Sequence, residues 1–364
     1  MEPLDHLQKI EERLVIRATE KRQPINASFE LTPLCNMNCE MCFIRLSDKE
    51  MKSQGRLLTV DEWIDLAVQL KAAGTLFVLL TGGEPLLYPH FKTLYQKLRD
   101  LGMIVTINTN GTLITENIAS LLEKDKPRRV NVTLYGASNE TYLKLCHHPK
   151  GFDQVMQGLT LLKDHHIDVK LNGTLVPENR HEIDELIAIA KQFDFPIKID
   201  TYIYPSSRKK ICPFKQGSRM EPQEAAGCAL EIKRKQKATE EFERYRSYIL
   251  DRCDRPFNPD LSLSCRAGKS SVWFTWNGKM TPCVFLDIPA YDILNTDVDE
   301  AWKKMIKDID QIHLPSCCGS CEKRDVCQIC AACAYCETGG FEDRPEYMCK
   351  YTEQIVDMMK KERK

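Results

Sequence analysis

The segment from Leu34 to Phe43 reads LCNMNCEMCF and places Cys35, Cys39 and Cys42 at CxxxCxxC spacing. Three thiols in one tight loop are one ligand short of a closed zinc site, which wants four. They suit a [4Fe-4S] cluster whose fourth iron is left for a ligand that the protein does not supply. The chain holds 17 cysteines, and eight of them fall between Cys317 and Cys349. The start, MEPLDHLQKIEERL, carries acids where a signal peptide carries its positive region, so the chain reads as cytoplasmic. Thiols there are kept reduced, and metals rather than disulfides are their expected partners. Cys146 shares none of these spacings and reads as an ordinary lone thiol.

A second segment, TGGEP from Thr81 to Pro85, closes a predicted strand. Gly82 and Gly83 would let the backbone approach a ligand closely, and Glu84 is an anionic acceptor for an ammonium. Alone, GGEP is an ordinary turn. Its weight comes from its place, one strand after the cysteine loop.

The elements that must position these groups alternate. ASFELTPL, TLFVLLTGG, MIVTINTNG, RRVNVTLYG, IDVKLNGTLV and FPIKIDTYIY read as strands, with helical patterns between them. Thr59 is the expected cap of the first intervening helix. Six strands alternating with helices imply a parallel sheet with chemistry at the strands' carboxyl ends. Before it, residues 1–26 read as an arm with a short amphipathic helix around Leu4 to Ile16. After it, residues 205–260 read as a bridging segment with one long charged helix, about Glu224 to Asp251, and with Cys212, Cys228 and Cys253. Residues 261–349 form a cysteine module in which SVWFTW and KMTPCVFL are strands joined by Asn277-Gly278, a strong hairpin signal. A helix ends the chain in 350–364. Charge is balanced, 51 basic against 52 acidic residues, which argues against nucleic acid or an acidic membrane surface as partner. No apolar run reaches the roughly 18 residues that span a bilayer.

Taken together, the cysteine loop and TGGEP resemble the signature of the radical S-adenosylmethionine (radical SAM) superfamily, and the tail resembles its SPASM subgroup. Cys265 is followed by twelve residues, Gly278, four residues and Cys283; Cys318, Cys321 and Cys327 then follow as CxxCx5C, with a late Cys349. The resemblance implies a partial (β/α)6 TIM-type barrel with a C-terminal Cys-rich SPASM domain. It further implies a [4Fe-4S] cluster on Cys35, Cys39 and Cys42 that binds SAM, and two auxiliary [4Fe-4S] clusters. Cys318, Cys321, Cys327 and Cys349 would hold one; Cys265 and Cys283 belong to the other. The subgroup leaves three residues after the cysteine matching Cys327, whereas here Cys327, Cys330, Cys333 and Cys336 are each separated by two. Cys330 is therefore the first choice to complete the Cys265 set and Cys253 the second; failing either, an iron is open to a substrate thiolate. A structural zinc site is the alternative for the extra CxxC steps.

By the same resemblance Gly82, Gly83, Glu84 and Pro85 receive the methionine amino group. Asn108, Thr109 and Asn110, with Thr133 and Tyr135, face the ribose and methionine portions, and Asn172 and Val176 lie near adenine. Substrate-facing candidates are Asp200, Tyr202 and Tyr204, spaced by two, and Arg208. The implied activity is reductive cleavage of SAM to a 5′-deoxyadenosyl radical that modifies a ribosomally made peptide oxidatively, through a thioether or carbon-carbon crosslink. A flavodoxin- or ferredoxin-type reductant is implied, and a separate peptide-recognition protein would supply what the short arm lacks. Val284 stands where sulfatase maturases carry an aspartate base, which disfavours that branch. Another SPASM enzyme acting on a protein or small molecule, a peptide epimerase, and a non-catalytic zinc scaffold are the rivals.

Overall fold

In the computed structural model, which describes residues 3–205, 219–253 and 260–361, the expected alternation is realised strand by strand. α1 (Pro3–Glu20) leads to β1 (Asn26–Glu30), then α2 (Asp48–Gln54), α3 (Val60–Ala72), β2 (Phe77–Thr81), α4 (Phe91–Asp100), β3 (Ile104–Thr109) and α5 (Glu116–Lys124). β4 (Arg129–Leu134), α6 (Asn139–Cys146), α7 (Gly151–Asp164), β5 (Val169–Thr174), α8 (Ile183–Phe193) and β6 (Ile197–Asp200) continue the series. β1 to β6 pair in parallel in sequence order and make the partial (β/α)6 barrel. One face of each strand is apolar because it meets the helices: Val78, Leu80, Val105, Ile107, Val130 and Val132 are buried there. The alternate residues Ser28, Leu79, Thr106, Asn108 and Asn131 line an interior cavity of about 640 Å³. Capping boxes start two helices, Ser47 with Glu50 and Thr59 with Glu62.

Four features differ from the sequence expectation. The first helix runs on to Glu20, and Val15 and Ala18 pack with Ile25 against Leu76 and Phe77, so this segment is fastened beneath the barrel rather than standing off as an arm. The charged stretch after residue 220 is two helices, α9 (Pro222–Gln236) and α10 (Thr239–Cys253), separated at Lys237, whose backbone is extended. Charges mark that break: Lys233, Arg234 and Lys235 close one helix, while Glu240 and Glu241 open the next. β6 stops at Asp200, and Tyr202 and Tyr204 lie beyond it. The chain turns there because Thr201 bonds the Tyr351 hydroxyl at 2.9 Å and Tyr202 reaches Cys333 at 3.0 Å.

The fourth difference concerns the cysteine module. Its hairpin forms as expected at Asn277-Gly278, between β7 (Ser271–Phe274) and β8 (Lys279–Thr281), with Gly278 at φ +83°. Yet β7 also pairs in parallel with β1, and β9 (Tyr291–Asp292) follows β8, so one nine-stranded sheet runs β6-β5-β4-β3-β2-β1-β7-β8-β9. The hairpin covers the β1 edge that an open barrel would leave unpaired. Trp273 of β7 donates its indole N–H to buried Glu30 of β1 at 2.8 Å. α11 (Val298–Ile309), α12 (Ala331–Thr338) and α13 (Glu346–Lys361) complete the chain. Among the described residues, no helix is long and apolar enough to cross a membrane.

Candidate active site

The cysteine loop is zipped to the GGEP turn by backbone hydrogen bonds. Leu31 N–H donates to Thr81 O at 2.9 Å, Gly83 N–H to Thr32 O at 2.7 Å and Glu84 N–H to Leu34 O at 2.9 Å. A Cβ on Gly83 would lie 2.3 Å from Leu34 O and 2.8 Å from Pro33 O; one on Gly82 would lie 2.5 Å from Thr32 O. The close approach these glycines permit in the structure is thus of chain to chain, setting Cys35 beside Glu84. Gly83→Ala is expected to cost about 1–3 kcal/mol, as overpacking does, and to lower SAM affinity by displacing the loop. Thermal melting and SAM titration of the variant check both effects, and a wild-type melting point would contradict this role for Gly83.

On its other side the loop hangs from the end of α6. Asn38 N–H donates to Cys146 O at 2.9 Å and Glu40 N–H to Leu145 O at 3.1 Å, which uses carbonyls that a helix end leaves unpaired. Cys146 is therefore no isolated thiol: it is fully buried, and its sulfur is a hydrogen-bond partner of Cys39. The Tyr135 hydroxyl donates to the same Cys39 sulfur. Sequence spacing does not show this partnership, since Cys146 lies over a hundred residues from the loop; the left-handed His147 (φ 53°) that ends α6 is its only local mark.

Backbone amides aim at the loop sulfurs, Met37 N–H at Cys35 (3.4 Å) and Arg45 N–H at Cys42 (3.3 Å). Burial pushes the Cys35 thiol up to about 12, and the hydrogen bond to Cys146, followed by burial, raises Cys39 as well, so any metal taken up must displace protons. Asn110 Nδ2 lies 3.6 Å from Cys35 Sγ and 2.8 Å from Asn36 Oδ1, and Asn36 in turn donates to Thr112 at 2.8 Å. Asn36 and Thr112 belong to this cradle without any motif having marked them.

Glu84 is fully buried. Its carboxylate accepts from Thr109 Oγ1 at 2.8 Å, from Asn110 N–H at 2.8 Å and from Leu86 N–H at 3.1 Å. Burial outweighs these donors and raises its pKa to about 7. Glu84, Thr109, Asn110 and Cys35 are thus brought together. Pro85 opens the short turn Pro85–Leu87 beside them. Asn108 bonds Asn131 at 2.7 Å inside the cavity, and Thr133 and Asn172 are paired across β4 and β5. Val176 is different: its side chain is wholly buried in the core, and its N–H bonds Asn179.

Cys318, Cys321, Cys327 and Cys349 line one cavity of about 240 Å³, together with Cys317. The Thr352 hydroxyl donates to Cys327 at 3.3 Å, and Arg344 bonds Cys349. Cys265, Cys283 and Cys330 are electrostatic neighbours, with amides of Phe285 and Leu286 aimed at the Cys283 sulfur and that of Cys333 at the Cys330 sulfur (3.3 Å). Cys253 packs among Ile249, Val356 and Val326. Cys336 donates to Phe285 O at 3.2 Å. Among the described residues, no three His, Cys, Asp or Glu side chains converge as ligands of a single metal ion.

Of the substrate-facing candidates, Asp200 is exposed and pairs with Lys198 at 2.8 Å. Tyr202 is buried, its hydroxyl 3.0 Å from Cys333 and 2.6 Å from Glu337, which Arg219 also holds at 2.7 Å. Tyr204 stacks on Phe285. Both tyrosines therefore contact the cysteine module. Arg208 and Cys212 lie outside the described residues.

A partial (β/α)6 barrel with a three-thiol loop ending its first strand and a buried carboxylate ending its second defines a class of enzyme that holds an iron-sulfur cluster and a charged small cofactor together. Residues 29–190, a little under half of the chain, match the Radical SAM superfamily, and the fold is similar to that of solved structures that bind AdoMet. Across 89% of its length it is similar to AdoMet-dependent heme synthase of Methanosarcina barkeri, 26% identical over 95% of that protein. Among solved structures it is similar to Streptococcus suis SuiB bound to precursor peptide SuiA (18% identity, 95% of this chain and 81% of that one, TM-score 0.66). It is likewise similar to native anSMEcpe with bound AdoMet (18% identity, 93% and 98%, TM-score 0.68). At these identities the solved structures bear on the fold. The superfamily implies SAM and one [4Fe-4S] cluster.

Proposed function

We propose that this chain oxidatively crosslinks a ribosomally made peptide. Cys35, Cys39 and Cys42 would hold the cluster, with Glu84 receiving the ammonium of SAM and Thr109 and Asn110 fixing that carboxylate. When bound, the cluster supplies the electron that cleaves SAM to methionine and a 5′-deoxyadenosyl radical. The chain's own residues position the substrate against that radical and keep water out. Hydrogen-atom abstraction leaves a substrate radical; bond closure then releases a proton and one further electron, which needs an acceptor. The observation that carries this reading is the acceptor's housing: five of the tail cysteines line one cavity and three others gather beside Phe285, which suits two auxiliary clusters. Fold likeness to an enzyme solved with a peptide supports the substrate class.

A second reading, a heme-type macrocycle, is favoured by the near-complete coverage of the Methanosarcina relative. Co-expression with a short neighbouring reading frame separates the two. The peptide reading expects a product lighter by a pair of hydrogen atoms per crosslink. An unchanged peptide, with a porphyrin-like absorbance co-purifying with the chain, would replace the first reading by the second.

A further inference from the structure

Tyr204 lies between the two cysteine regions. Its ring stacks on Phe285 with centroids 4.2 Å apart and planes at 19°, and Phe285 meets Phe43 at 4.6 Å. Phe43 follows Cys42, and Phe285 comes two residues after Cys283, so three aromatic rings join the barrel loop to the module. The Tyr204 hydroxyl is the hydrogen-bond donor to the Cys330 sulfur. Its neighbour Tyr202 instead addresses Cys333, at 3.0 Å, and Glu337.

We propose that Tyr204 is a positioning residue of the first auxiliary site: stacking on Phe285 aims its phenol at Cys330 and so raises the reduction potential of the cluster that Cys265, Cys283 and Cys330 would hold. This rests on the auxiliary-cluster reading. Reduction adds negative charge that the ligand sulfurs share, and a donor at one sulfur stabilises the reduced form more than the oxidised form. Removing the donor therefore lowers the potential. Cys330 is the neighbour of Cys265 and Cys283, whereas Cys333 meets Tyr202.

The experiment is an EPR-monitored redox titration of the anaerobically reconstituted full chain, with iron counted in every sample. Tyr204→Phe keeps the ring and its stack, and it is expected to keep full iron while one midpoint potential moves downward. Tyr202→Phe is the control and should leave every potential in place. An unmoved potential in Y204F at full iron overturns the proposal, as does a shift in Y202F alone, which would make Cys333 the ligand. Iron loss in Y204F that an ortho-fluorinated tyrosine, which keeps the phenol, restores would make the hydroxyl a requirement for holding the cluster rather than for setting its potential, and would likewise overturn the proposal. Absence of any auxiliary cluster signal in the wild type would defeat the underlying reading as well, and is told apart by its iron count.

Discussion

Replacing Cys35, Cys39 and Cys42 together by alanine is expected to abolish SAM cleavage while leaving about eight of about twelve irons per chain, the sum for two auxiliary four-iron clusters ligated through cysteine. The three thiols form one loop with amides of Met37 and Arg45 aimed into it. The fold does join the two regions physically, through the β1–β7 pairing and the Phe43–Phe285 contact. Those contacts are made by backbone and by rings, so alanine at the cysteines leaves them standing. Anaerobic reconstitution, iron analysis and chromatography of the 5′-deoxyadenosine product measure the outcome. Undisturbed cleavage in the triple variant would remove Cys35, Cys39 and Cys42 from the reaction, and total iron loss would show that the sites assemble as one.

What the sequence disclosed follows from which forces were local. β3 and β4 were legible because Val105, Ile107, Val130 and Val132 alternate with polar residues, the pattern of a strand with helices on one face. Thr59 was legible as a cap because Glu62 answers it three residues on. The site was legible where it is written in short runs, at the cysteine loop and at GGEP. Pairing of β7 with β1 was not, because it joins segments some 240 residues apart and leaves no periodicity in either. Nor was the partnership of Cys146 with Cys39, or the bend after Asp200 that carries two alternating tyrosines onto the cysteine module. The glycines were read as places where the backbone approaches a ligand; what approaches them in the structure is the backbone of Thr32 to Leu34.

The affinity of the chain for SAM is expected to fall about tenfold for each pH unit below 7 and to level off above it, because one proton must leave Glu84 before it can pair with an ammonium. The starting point is a carboxyl that burial holds at about 7, against an ordinary 4.5. Its effect on the unliganded fold has the opposite sign to that of a salt-bridged acid. Since the folded state binds this proton more tightly, the group's contribution to stability is fullest below 4.5 and is lost as pH rises toward 7. On the proposed reading SAM binding would reverse that preference by supplying a cation beside the donors Thr109, Asn110 and Leu86. Glu84→Gln removes the charge and turns an amide N–H₂ toward donors that need an acceptor. A loss of roughly 1.5–3 kcal/mol is expected, the usual worth of a hydrogen bond to a charged partner, and the pH dependence should vanish with it. Calorimetric titration in buffers of different ionisation enthalpy, from pH 6 to 8, counts the released proton directly. No proton release in the wild type at pH 6.5, or the same pH slope in E84Q, would show that the methionine amine is received elsewhere.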